Sequence, residues 1–186
     1  MKVRKSLVLA AVAAASIGLL STAHAALFLG TTVNYQYYFP NSSSPYPNAD
    51  NGNKLVGPGV EISNFVDGRG TMDISDTNIF MVFTSASTFS GSAFNGWVLS
   101  DLINNVPAIT GVSINGATNL VGFNASRISF TADSISANFQ GLSFDANTRV
   151  SLDVNGGGPN IPEPATLALL GLGLAGLGLS RRRKAS

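Results

Sequence analysis

The side chains that most often carry nucleophilic, redox or metal chemistry are almost absent from this chain of 186 residues. It contains no Cys and a single His, His24. Without Cys there are no disulfides, thiolate nucleophiles or Cys-ligated zinc sites. His24 lies in an N-terminal segment that we predict to be removed, which leaves the mature chain without imidazole for Ser-His-Asp catalysis or metal binding. We therefore expect a protein that is not an enzyme and carries no cofactor.

Carboxylates are the remaining groups with catalytic potential. A glycoside hydrolase needs two of them facing one cleft. Asp67, Asp73 and Asp76 are close in sequence, but Asp67 and Asp76 flank predicted turns, where Asp is common for conformational reasons. Since the sequence does not show which acids meet in space, an acid-pair glycoside hydrolase is kept as the less favoured alternative.

Calcium is the one metal ion for which the chain has suitable ligands. Asp50, Asn51 and Asn53, with Asp73 and Asp76 elsewhere, offer side-chain oxygens of the kind that calcium prefers. Their spacing does not fit an EF-hand, which needs acids at alternate positions and a Glu at the twelfth. Turns enriched in Asn and Asp have the same composition, so both interpretations stay open.

Aromatic residues suggest a carbohydrate-binding surface. Tyr35 and Tyr37 share one face of a predicted strand, and Tyr38 lies on the other. Exposed on one face, the first two rings would form a flat platform on which a sugar ring could stack. Trp97 is expected to pack in the core.

The elements that would position these residues are short strands. Alternating apolar and polar residues predict about nine of them, and no run of ten residues has helical periodicity. The predicted strands are residues 33–39, 60–66, 71–75, 79–84, 94–99, 109–114, 127–131, 135–139 and 149–154. The fold class predicted for residues 26–154 is therefore all-β, an antiparallel, jelly-roll-like β-sandwich.

Four further features complete this prediction. Residues 127–131 and 135–139 should form a hairpin. Residues 40–59 are the longest irregular stretch, and residues 100–104 allow at most one helical turn. Residues 155–160 form a Gly-rich linker after the sandwich.

The N-terminus has the three parts of a secretory signal peptide, residues 1–25. A basic start (Lys2, Arg4, Lys5) precedes an apolar stretch at residues 6–20, and the segment ends in Ala23-His24-Ala25. Cleavage by signal peptidase between Ala25 and Ala26 is expected after passage through the secretion translocon.

The C-terminus, residues 161–186, forms a second three-part signal. Pro162-Glu163-Pro164 cannot continue a helix and should be extended. Residues 165–180 carry no charge and would span roughly 24 Å as a helix, a short transmembrane segment for a core of ~30 Å. The basic end then holds the terminus in the cytoplasm through Arg181, Arg182, Arg183 and Lys184.

These three features, in this order at the end of the chain, resemble the PEP-CTERM sorting signal of exopolysaccharide-producing Gram-negative bacteria. The resemblance covers about 26 residues and requires an N-terminal signal peptide, which the chain has. It implies an exosortase-type membrane transpeptidase as partner. It also implies an inner-membrane-anchored precursor that later reaches the cell envelope, the cell surface or the extracellular space. It implies no particular activity for residues 26–154.

The net charge of the central domain argues against one class of partner. Between the two signals, four basic residues face nine acidic ones, a balance of about −5. Nucleic-acid binding is not expected because no basic face can neutralise phosphates. The leading hypothesis is a non-enzymatic structural or adhesive role at the cell surface or in the exopolysaccharide matrix. A lectin-like carbohydrate-binding module is the alternative.

Overall fold

The central domain consists of twelve strands. The structure is a computed structural model that describes residues 26–157. Its strands are β1 (Thr32–Tyr38), β2 (Gly52–Leu55), β3 (Val60–Ile62), β4 (Gly70–Ile74), β5 (Asn78–Phe83), β6 (Ser87–Thr88), β7 (Gly96–Ser100), β8 (Ile109–Ile114), β9 (Ile128–Thr131), β10 (Ser134–Asn138), β11 (Ser143–Phe144) and β12 (Arg149–Gly156). Within the described residues the only helical segment is a 3₁₀ turn, Ala125–Arg127. The all-β prediction is confirmed.

The strands form two five-stranded antiparallel sheets and one small ribbon. The first sheet has the order β2-β1-β7-β10-β9, and the second has the order β3-β4-β5-β12-β8. The ribbon pairs β6 with β11. Every described pairing between these strands is antiparallel. The jelly-roll-like detail of the prediction stays a prediction.

One apolar core lies between the two sheets. Alternate residues of β1, Val33, Tyr35 and Tyr37, are buried, as are alternate residues of β5 in the other sheet. Trp97 of β7 is fully buried, and its indole N–H points at the sulfur of Met81 on β5, 3.3 Å away. This contact joins the two sheets directly, and the period-2 burial explains why the sequence alternates.

The predicted strand count of about nine was too low. Each of the nine predicted segments overlaps one strand, but β2, β6 and β11 were missed. These strands have four, two and two residues, too few for alternation to stand out. The stretch at 40–59 is therefore not irregular throughout, because it contains β2.

Two other local predictions need correction. Residues 102–104 form bends and no helical turn, because the Asp101 carboxylate accepts backbone N–H groups from Ile103, Asn105 and Val106. The linker begins later than residue 155, because β12 continues to Gly156 and pairs there with β8. The predicted hairpin is confirmed as β9 and β10, with residues 132–133 as its turn.

The predicted signal peptide at 1–25 and the C-terminal signal lie outside the described residues. The undescribed C-terminal part includes the sorting motif at 162–164, the predicted membrane helix at 165–180 and the basic end at 181–184. In the part that the structure does describe, no helix has the length and apolar character needed to cross a bilayer.

Candidate functional site

A pocket opens at one end of the domain, where β1 ends and β7 begins. Tyr38, Gly96 and Asn138 are paired in register at this end of the first sheet. The pocket has a volume of about 120 Å³ and is lined by side chains from three loops and from the small ribbon. Loops that meet at the end of a rigid sandwich are a common place for binding sites.

A tight turn places Asp67 and Arg69 at the pocket. Asp67 and Gly68 have φ angles of 50° and 65°, and the Arg69 N–H donates to the Val66 carbonyl at 2.9 Å. Two central residues with positive φ define a type I′ turn, for which Asp-Gly is a favoured pair. The Asn64 side chain fixes the turn further by accepting the Gly68 N–H at 2.7 Å.

The Asp67 carboxylate is held by the long loop before β2. Its Oδ1 accepts the Tyr46 hydroxyl at 2.9 Å and the Asn48 amide at 2.6 Å. The Asp67 N–H also donates to the Asn48 carbonyl at 2.9 Å. Accepting this hydrogen bond from Tyr46, Asp67 raises the pKa of the Tyr46 phenol and keeps it a donor. The turn and the loop therefore orient one carboxylate at the pocket while its Oδ2 has no partner among the described residues.

Aromatic rings form the apolar side of the pocket. Phe39 and Tyr46 are half-buried and meet edge to face, with ring centroids 6.0 Å apart. Phe89 and Phe144 are buried beside them, 4.8 Å apart. Because the rings pack on one another, the apolar wall of the pocket forms without a ligand.

Polar groups complete the lining. Arg69 reaches Ser85 and the Ala86 carbonyl with one guanidinium nitrogen, at 3.4 Å each. It has no carboxylate within ion-pair distance in the described residues, where the only salt bridge is Lys54–Asp50. The hydroxyls of Ser87 and Ser90 add further donors and acceptors.

The predicted Tyr35 and Tyr37 platform is wrong. Both rings have zero exposed area and point into the core. The Tyr35 hydroxyl donates to the Phe65 carbonyl at 2.7 Å, and the Tyr37 hydroxyl donates to Asn95 Oδ1 at 2.7 Å. Burial raises the pKa of both phenols far above the ordinary value. Neither ring is available to a sugar at the surface.

The predicted calcium ligands have separate partners. Asp50 binds Lys54 at 2.5 Å and accepts from Ser63, while Asn51 bonds to the Tyr37 N–H at 2.8 Å. Burial alone would raise the pKa of Asp50, but the bonds from Lys54 and Ser63 outweigh it and lower the pKa. The other three candidates are also apart from one another. Asn53 accepts a hydrogen bond from Asn34, and Asp76 accepts one from the Leu27 N–H. Asp73 lies beside Glu61.

No cluster of three or more acidic or His side chains suited to a metal ion occurs within residues 26–157. The three acids considered for glycoside hydrolysis are not brought together either. Asp67 lines the pocket, Asp73 lies on the outer side of β4, and Asp76 bonds to the first residues of the domain. Among the described residues, Asp67 is the only carboxylate that lines the pocket.

Sequence reasoning missed the pocket, although two of its signals were visible. Asp67 flanks a predicted turn, and the longest irregular stretch begins at residue 40. Nothing in the sequence showed that Tyr46 and Asp67, 21 positions apart, would form a hydrogen bond.

Comparison with known proteins identifies the C-terminus and not the central domain. No curated protein and no solved structure matches the chain. The family model for the PEP-CTERM protein-sorting motif matches residues 160–184. The match includes Pro162, Glu163, Pro164 and the basic end, which carried the resemblance in the sequence. Residues 160–184 of this chain therefore carry a PEP-CTERM protein-sorting motif.

Proposed function

We propose that this protein has a non-enzymatic structural or adhesive role at the cell surface or in the exopolysaccharide matrix, after export and sorting by an exosortase-type system. The observation that carries the proposal is the PEP-CTERM motif at residues 160–184, which supports export and exosortase processing. The proposed role of the central domain is argued from the surface of that domain.

The outer face of the first sheet supports a role in contact with hydrated polymer. One row across all five strands consists of Asn53, Asn34, Ser100, Ser134 and Thr131, in register. Its side chains bond to one another, as Asn34 does to Asn53 at 2.9 Å and Thr131 to Ser134 at 2.8 Å. An uncharged surface of amides and hydroxyls offers hydrogen bonds to neutral polymers without a desolvated charge.

The pocket supports the non-enzymatic part of the proposal. Most glycoside hydrolases use a pair of carboxyl groups, whereas Asp67 is the one carboxylate that lines this pocket among the described residues. The chain has no thiol, and its single imidazole, His24, lies in the predicted signal peptide.

Sorting is tested by replacing Pro162-Glu163-Pro164 with three alanines. In a host with the sorting enzyme, we expect the variant to insert but not to mature, so that full-length protein accumulates in the inner membrane. A blot of fractionated cells measures this. Normal maturation of the variant would mean that the tail is only an anchor.

The membrane segment supplies a second, independent test. Leu174 lies in the uncharged stretch at 165–180. A Leu174→Asp change costs roughly 2.5–3.5 kcal/mol of insertion free energy, whereas each central Leu contributes only a few tenths. We expect this precursor in the periplasm, unsorted, and Leu174→Ile to behave as the wild type.

The role in the matrix is tested with a strain that lacks the protein. We expect weaker retention of exopolysaccharide at the cell surface, restored by the wild type but not by the three-alanine variant. The purified exported protein should release no reducing sugar from isolated exopolysaccharide. Release that depends on Asp67 would replace this proposal with a hydrolase.

A further inference from the structure

We propose that the Asp67 pocket binds one sugar unit of the exopolysaccharide, recognising adjacent hydroxyl groups with Asp67 and Arg69 and the apolar face of the sugar with Phe39 and Tyr46. This inference rests on the proposed location in the matrix and assigns the contact to a particular site. It replaces the Tyr35 and Tyr37 platform, which the structure buries.

The polar half of the pocket has the groups that adjacent hydroxyls require. The Oδ2 atom of Asp67 accepts no hydrogen bond among the described residues, because Tyr46 and Asn48 both bond to Oδ1. Arg69 forms no ion pair within this part of the chain and uses one nitrogen, NH1, for its two bonds of 3.4 Å. A carboxylate accepts from one hydroxyl while a guanidinium donates to its neighbour, and both bonds are strengthened by charge.

The apolar half suits the C–H face of a sugar ring. Phe39 and Tyr46 are half-buried, so each leaves part of its ring at the pocket. A sugar ring is amphipathic, with hydroxyls at its edge and C–H groups on its face. Small-ligand sites combine such an aromatic wall with a few placed polar groups.

The small size of the pocket favours a single sugar unit as the ligand. Its volume of about 120 Å³ is below the ~300–1,000 Å³ typical of pockets that bury a drug-sized ligand. One ring can enter part of the way while the rest of a polymer continues into solvent. The pocket therefore fits a terminal or branching sugar better than a long internal segment.

The site is preorganised by contacts that do not involve the ligand. The type I′ turn fixes Asp67 and Arg69, and Asn48 holds the turn through its carbonyl. The ring of Tyr46 packs against the rings of Phe39 and Tyr37, with centroid distances of 6.0 and 6.1 Å, and these contacts hold it in place. Rigid groups lose little entropy on binding, which favours specific recognition of a small ligand.

The experiment is an NMR titration of the ¹⁵N-labelled, processed protein purified from the producing host. The probes are oligosaccharides from partial acid hydrolysis of the host's own exopolysaccharide, and separately glucose, galactose, mannose and glucuronic acid. We expect saturable shifts at the amides of Phe39, Tyr46, Asp67 and Arg69 with at least one probe. Shifts confined to other residues, or none with any probe, would overturn the inference.

Matched variants locate the binding groups. Asp67→Asn keeps a residue that tolerates positive φ and can still accept from Tyr46, but it removes the charge. We expect at least a tenfold loss of affinity. The control, Asp133→Asn, removes a charge from the exposed turn between β9 and β10, at the opposite end of the first sheet. It should bind within about twofold of the wild type, and equal losses in both variants would count against the site.

The sugar-binding proposal and the proposed function can be refuted separately. Protein that reaches the matrix but gives no shift with any probe would refute the sugar pocket alone. Protein that binds sugar at the pocket but is never found at the surface would refute the proposed location alone.

Discussion

The buried hydroxyl of Tyr35 offers the sharpest test of how the core is built. It donates to the Phe65 carbonyl at 2.7 Å, and this carbonyl has no other partner within the described residues. Replacing Tyr35 with Phe removes the donor but keeps the ring in place. A buried carbonyl is then left without a hydrogen bond, which costs about 1–3 kcal/mol of the free energy of unfolding.

Tyr38 provides the matched control on the same strand. It points to the opposite face of β1 and is only partly buried. Its hydroxyl makes no hydrogen bond in the part of the chain that the structure covers, so Tyr38→Phe should change stability by less than about 0.5 kcal/mol. The same chemical change thus has two different expected costs, set by the face of the strand.

Urea denaturation of the processed protein, followed by Trp fluorescence, measures both variants. Trp97 is fully buried and reports the core. We expect Tyr35→Phe to lower the urea midpoint without changing the m-value. In a thermal melt, Tm should fall by about 4–12 °C for a domain of this size. Equal stability of the wild type and Tyr35→Phe, or an equal loss in Tyr38→Phe, would refute the assignment of Tyr35 to the core.

Further predictions concern pH, packing, metal and processing. Burial raises the pKa of Tyr35 and Tyr37 while the unfolded chain ionises near 10, so stability should be intact below pH ~10 and fall above it by up to ~1.4 kcal/mol per pH unit for each Tyr. Alkaline denaturation that is no steeper in the wild type than in Tyr35→Phe would contradict this. Gly96→Ala would bring a Cβ within 1.9 Å of a backbone oxygen on β10, so we expect a loss of about 3 kcal/mol in chemical denaturation, whereas Gly91→Ala meets open space and should be neutral. A chelator should leave Tm unchanged because the candidate calcium ligands have other partners, and a lower Tm would restore the calcium site. Mass spectrometry of the exported protein should find Ala26 at its N-terminus, and an intact Met1 would disprove signal-peptide cleavage.

The sorting motif and the all-β fold class could be predicted because both depend on residues that are close together in the sequence. A signal read by a membrane enzyme depends on the linear order of an extended motif, an apolar stretch and basic residues, and the family match at 160–184 confirmed that reading. Alternation likewise depends only on neighbours, which is why the segment at 109–114 coincides with β8. Strands of two residues, such as β6 and β11, exist only through their partner and leave no such pattern.

The pocket and the fate of the tyrosines were decided by tertiary structure. The sequence places Tyr35 and Tyr37 on one face, but which face becomes the interior depends on the second sheet that packs against it. Pocket residues come from segments separated by up to about a hundred positions, from Tyr37 to Phe144. These segments meet at one end of the domain only through long-range contacts, such as the pairing of β1 with β7 and the hydrogen bond from Tyr46 to Asp67. Local order therefore allowed the sorting motif and most of the strands to be predicted, whereas the long-range packing of two sheets determined which side chains are buried and which meet at the pocket.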